Sequence, residues 1–146
     1  MLLIITGGDA FAQPANDNCA SAIDIPIKTS NPQNCINGTT VGATIEGGEP
    51  TTCNGGANQT VWYKFTATSD SAFVTILGSA LDCFFGSEVW DGSVGCMPAT
   101  SLGCEAAGGG PYSHGYDLTG LTSGTDYYIQ VTYDQVVLVK PVLIFV

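Results

Sequence analysis

At 146 residues the chain is the length of one domain and long enough to bury a core. It is 45% hydrophobic and only 11% charged, which excludes a disordered tail, and no apolar run is long enough for a membrane-spanning helix. Thirteen acidic residues against three lysines and no arginine give a net charge of -10, which argues against nucleic acid and anionic membranes as partners.

The chain reads as an apolar segment over residues 1–12 followed by one domain over 13–146. Its start, MLLIITGGDAFAQ, has an apolar stretch at Leu2, Leu3, Ile4 and Ile5, and a small-residue cleavage pattern at Ala10-Phe11-Ala12. No lysine or arginine precedes the stretch, and Asp9 sits where a signal is normally uncharged. The segment is therefore read either as the remnant of a secretion signal or as a strand with a use elsewhere. Beyond it, helix is confined to a turn near Cys19–Ala22.

From there, period-two alternation takes over. In TVWYKFTA, Val61, Tyr63 and Phe65 share one face, and Trp62, Lys64 and Thr66 the other. SAFVTIL sets Ala72, Val74 and Ile76 against Phe73, Thr75 and Leu77, and DYYIQVTY sets Tyr127, Ile129, Val131 and Tyr133 against Tyr128, Gln130 and Thr132. Shorter strands are expected at Ile23–Ile27, Thr39–Ile45, Phe84–Trp90 and Gly115–Leu118. Turn-formers separate them: NPQN, EGGEP, NGGANQ, DGSVG and GGGP. Asp91–Ser113 is rich in glycine and cysteine and reads as a stapled surface loop. The fold class expected is all-β, an antiparallel β-sandwich or jelly roll with disulfide-stapled loops.

Six cysteines, Cys19, Cys35, Cys53, Cys83, Cys96 and Cys104, lack the paired spacing of zinc sites, and the single histidine is His114. An even count at irregular spacing favours disulfides in an oxidising compartment. Cys96–Cys104, across a short loop, is the first pair expected, and Cys19–Cys35 the next.

PANDNCASAIDI, GTTVGATIEG, VWYKFTATSDSAFVTI, VWDGSVGC and LTGLTSGTDYYIQV follow in an order that resembles secreted Bacteroidetes β-sandwich ectodomains, similar to the pre-peptidase C-terminal domain. The resemblance covers residues 14 to 133. It implies a jelly-roll-like sandwich at or outside the cell surface, appended to enzymes or adhesins, with no catalytic residues of its own.

The residues agree that an enzyme is a poor reading. Acyl transfer needs a nucleophile beside a base, and neighbours Ser113 and His114 point to opposite faces of a strand. There is no GxSxG motif, and nothing in the spacing of Glu46, Glu49, Glu88 and Glu105 sets two carboxylates across a cleft. His114 in its glycine-rich surroundings reads as a surface residue. No cofactor is implied except calcium, for which Asp82, Glu88, Asp91 and Asp117 offer hard oxygen ligands without EF-hand spacing; solvated loop acids are the alternative. Trp62, Trp90, Tyr112 and Tyr116 are candidates for stacking a sugar ring, with core positions as the alternative, since a sandwich buries one face of each sheet. Asn37 and Asn58 begin glycosylation sequons, and Ser71 in DSA resembles a Bacteroidetes O-glycosylation motif.

VVLVKPVLIFV closes the sequence. A strand over Gln135–Lys140 completes the sandwich and Pro141 ends it, leaving Val142, Leu143, Ile144, Phe145 and Val146 without a place. The function expected is a self-partnering subunit of a secreted or cell-surface filament. Leu2–Ile5 or Val142–Val146 would enter the neighbour's sheet by strand donation. The alternative is a monomeric module that binds surface polysaccharide or protein.

Overall fold

The computed structural model describes residues 12–27, 36–50, 59–77, 85–97, 100–106 and 113–133, and the backbone of Val142–Phe145. Among the described residues a 3-10 turn, Cys19–Ser21, precedes β1 (Ile23–Asp24), β2 (Ile36–Gly38), β3 (Gln59–Thr66), β4 (Ser71–Leu77), β5 (Phe85–Asp91), β6 (Ser101–Glu105), β7 (Ser113–Thr119), β8 (Asp126–Tyr133) and β9 (Val142–Phe145). They form a five-stranded sheet in the order β1-β3-β8-β5-β6 and a four-stranded sheet in the order β2-β9-β4-β7. Every pairing is antiparallel except β1 with β3, which is parallel. The fold is an all-β sandwich, as its alternating patterns require.

The core lies between the sheets. Val61, Tyr63 and Phe65 of β3, Phe85 and Val89 of β5, and Tyr127, Ile129 and Val131 of β8 meet Val74 and Ile76 of β4 and Tyr116 and Leu118 of β7. The inward rows of TVWYKFTA, SAFVTIL and DYYIQVTY are those expected from period two.

Three local expectations are corrected. Asp91–Ser113 is not all loop, because β6 pairs with β5 from Ser87↔Glu105 to Trp90↔Ser101. Thr39–Ile45 forms no strand: Gly42 at φ +78 turns the chain, and the segment runs on as an irregular cover. Val142–Phe145 has a place in its own fold. It stands between β2 and β4, in register from Ile36↔Ile144 to Gly38↔Val142 on one side and from Thr75↔Phe145 to Leu77↔Leu143 on the other. Leu2–Ile5, Gln135–Lys140 and Val146 lie outside the described residues.

Candidate functional site

The central strands β3, β8 and β5 of the five-stranded sheet are buried on both faces over most of their length, so a rule of one buried face per sheet fails here. Alternate residues of β3, β8 and β5 that point away from the core, Trp62, Gln130 and Trp90, are themselves buried. The PANDNCASA segment runs along the edge of β3, where Asn16 accepts from Trp62 N through its carbonyl and donates through Nδ2 to Trp62 O, both at 2.9 Å. Asp17 is 3% exposed; its Oδ1 accepts from Thr44 N at 2.5 Å, and its Oδ2 from Thr44 Oγ1 at 2.7 Å and from Gln13 Nε2. Glu46 accepts from Cys19 N at 3.1 Å, and Glu49 accepts from Glu46 N at 2.8 Å. Gln130 links this cover to the sheet: its Nε2 donates to Glu49 Oε1 at 2.8 Å, and its Oε1 accepts from Trp90 Nε1 at 3.1 Å.

A disulfide closes the arrangement. Cys19 pairs with Cys96 across 77 positions of sequence, over Trp62 and Trp90. Both expected pairs, Cys96–Cys104 and Cys19–Cys35, are thereby excluded; Cys104 is disulfide-bonded to another cysteine. The physical reason is that the 3-10 turn brings Cys19 across the sheet face onto the loop after β5, a closure that sequence distance hides. Cys35, Cys53 and Cys83 lie outside the described residues. Met97, next to the bridge, adopts φ +62 and donates its N–H to Cys19 Sγ at 3.4 Å.

Between the sheets is a polar cluster that sequence reading missed. Ser87 on β5 is fully buried, and its Oγ lies 2.6 Å from His114 Nδ1 and 2.7 Å from Tyr116 Oη on β7. Tyr116 Oη donates to Ser87 O at 2.7 Å, and the His114 ring stacks on Phe85 at 4.1 Å. Removal from water holds the His114 imidazole down at about 4 and pushes the Tyr116 phenol up to about 12. His114 is thus a buried strand residue, not a surface one. The signal was the alternation of His114, Tyr116 and Leu118 in SHGYDLT, obscured by the serine and glycine between them. Ser113 and His114 do diverge, one exposed and the other buried.

The remaining candidates separate in the same way. Trp62, Trp90 and Tyr116 are buried and engaged in the fold, so none offers a free face to a sugar; Tyr112 lies outside the described residues. Of the calcium candidates, Glu88 is buried in mid-strand, Asp91 ends β5 and Asp117 is exposed on β7, while Asp82 lies outside. Among the described residues no group of three or more His, Cys, Asp or Glu could hold a metal ion. Asn37 is exposed on β2 and Ser71 is exposed at the start of β4; Asn58 lies outside.

The outward face of the four-stranded sheet is different. There β7 alternates strictly, with Ser113, Gly115, Asp117 and Thr119 exposed, and beside them Phe73 of β4 is 56% exposed. Among the described residues, the aromatic side chain left mostly in water is Phe73, which sequence reading assigned simply to a strand face.

No family model matches the sequence, and no curated protein matches it. Among solved structures, the chain is similar to the pre-peptidase C-terminal domain of the collagenase from Bacillus anthracis, known from a 1.0 Å crystal structure. The likeness has a TM-score of 0.50 at 14% identity and covers 84% of this chain and 93% of that one. It is a likeness of fold, and it agrees with the sequence resemblance as far as the pre-peptidase C-terminal domain.

Proposed function

We propose that this chain is a secreted, non-catalytic accessory module that holds its parent protein or cell against an extracellular polymer. The observation that carries the reading is the engagement of the reactive side chains in the fold. Ser87, His114 and Tyr116 satisfy one another between the sheets, and Asp17, Glu46 and Glu49 bind the cover rather than line a cleft. The likeness to a pre-peptidase C-terminal domain supports an accessory role, and the intramolecular disulfide supports an oxidising, extracellular setting. The resemblance of its motifs to Bacteroidetes ectodomains supports that origin. The test is retention of the oxidised chain on collagen, gelatin, cellulose or chitin, with no turnover of any of them. Retention on none of these matrices nor on any other extracellular polysaccharide, or turnover lost in a folded His114→Ala variant, would overturn it.

A second reading, strand donation into a homopolymer, is favoured by one feature. The segment Val142–Phe145 is the last described strand, yet it sits inside its sheet between β2 and β4. An identical segment from a neighbouring copy could occupy that slot with the same ladder, which would build an open chain of subunits. Negative-stain images of concentrated material would show fibres, absent after deletion of residues 142–146; uniform monomers at every concentration end this reading. Glycans on Asn37 or Ser71 would be compatible with either role, and intact-mass measurement of native material detects them.

A further inference from the structure

We propose that the open face of the four-stranded sheet around Phe73 is a binding site for a neutral polysaccharide, with a pyranose ring stacked on Phe73 and its hydroxyls bonded by Asp117. The inference rests on the accessory reading and names the ligand of that module.

Phe73 stands mid-strand in β4 and keeps 56% of its surface in water. Its ring leans over Gly115 of β7: a Cβ added to that glycine would lie 3.6 Å from the ring Cζ. The tip of the ring is therefore near the β7 backbone, while more than half of the side chain stays open to a ligand. Directly opposite Phe73 in the ladder is Asp117, exposed and without a hydrogen bond or ion pair among the described residues. Ser71 and Thr75 lie two positions away along β4, and Thr119 two positions from Asp117 along β7, with Ser71 and Thr119 themselves paired.

The chemistry selects the occupant. A protein partner's apolar anchor seeks a contiguous apolar pocket, whereas the described neighbours of Phe73 on this face are hydroxyls, a carboxylate and a glycine. A sugar ring has the matching character, with C–H groups on its face and hydroxyls around its edge. A free carboxylate accepts hydrogen bonds from two adjacent sugar hydroxyls more strongly than a neutral acceptor does. The same carboxylate, in a chain of net charge -10, repels uronic acids and sulfated glycans, so the ligand is neutral. Seven consecutive ladder pairs between β4 and β7, Ser71↔Thr119 to Leu77↔Ser113, hold these groups in place before binding.

The test is affinity electrophoresis of the full chain through gels containing xyloglucan, glucomannan, mixed-linkage β-glucan, starch or polygalacturonate. At least one neutral polymer retards the chain and polygalacturonate does not. Phe73→Ala weakens that retardation by roughly fivefold to tenfold, Phe73→Tyr keeps it, and Asp117→Asn weakens it by about tenfold. Both positions are exposed, so an unchanged melting temperature separates lost binding from lost fold. Retardation by none of the neutral polymers, or retardation that Phe73→Ala leaves intact, overturns the proposal. If collagen or gelatin still retains the chain in that case, the accessory reading stands and only this site falls. If no matrix retains it, both fall.

Discussion

Acid should loosen this protein in a window that belongs to His114. The imidazole is 6% exposed, stacked on Phe85 and hydrogen-bonded to Ser87, and its folded pKa is held at about 4 against 6.5 for a free histidine. The native state therefore binds fewer protons than the unfolded chain between those two values. The stability this contributes is fully present above pH 6.5 and is lost as the pH falls through about 4. The full difference corresponds to about 3 kcal/mol, of which about 2 kcal/mol is lost between pH 7 and pH 5. Carboxylates act lower. Asp126 is held below its ordinary 3.8 by the Thr66 hydroxyl and by Lys64, so its contribution disappears only in stronger acid. Urea unfolding at pH 7 and pH 5, followed by the fluorescence of the buried Trp62 and Trp90, measures the loss directly. A His114→Gln variant can still hydrogen-bond Ser87 but cannot titrate, so its stability should change little over the same range. A flat wild-type profile, or an equal loss in His114→Gln, would refute the assignment.

Replacing Cys19 and Cys96 together by serine should cost about 2–4 kcal/mol in denaturant unfolding, because the bridge closes a loop of 77 positions. The same variant should show a red-shifted, more quenchable tryptophan emission as the cover over Trp62 and Trp90 loosens. Gly38→Ala should destabilise by at least about 1–3 kcal/mol, since its Cβ would fall 1.6 Å from Oη of the buried Tyr63. Gly47→Ala meets nothing within 4 Å and should stay within about 0.5 kcal/mol of the parent, a control by thermal melting. Lys64→Met should lose no more than about 1 kcal/mol, because the ion pairs to Asp24 and Asp126 lie at a wet surface; the loss should shrink in high salt.

How far the sequence could be read follows from the range of each interaction. The inward rows of β3, β4 and β8 were legible, because alternation is a property of consecutive residues and the pleat converts it directly into faces. Phe85–Asp91 and Ser113–Thr119 lie near the strands expected at Phe84–Trp90 and Gly115–Leu118. What failed was long-range. The Cys19–Cys96 bridge depends on a turn carrying the chain across a sheet, and Ser87 meets His114 and Tyr116 only because β5 and β7 lie in opposite layers. SLGCE was missed as β6 because its cysteine and glycine resemble loop chemistry, while its pairing to β5 is decided by a neighbour. The PANDNC motif was visible as a resemblance, yet its work, tying Asn16 to Trp62 and Asp17 to Thr44, could not be seen without the fold.

The two sheets use their outward faces in opposite ways, and their strands record the difference. β5 is buried at six consecutive positions, Phe85 to Trp90, so both of its faces are covered. β7 alternates exposed and buried residues without exception, so one of its faces is open. Covering the five-stranded sheet consumes Asn16, Asp17, the Cys19–Cys96 bridge and the two tryptophans, which the sequence had offered as candidates for stacking a sugar. Among the described residues, that leaves the β4–β7 face as the flat surface whose aromatic and acidic groups are not already committed to the fold. A substitution that opens the covered sheet should therefore unfold the protein, whereas one on the β4–β7 face should alter recognition and leave the melting temperature where it was. That separation follows from burial alone, since Phe73 is 56% exposed and Trp62 is fully buried.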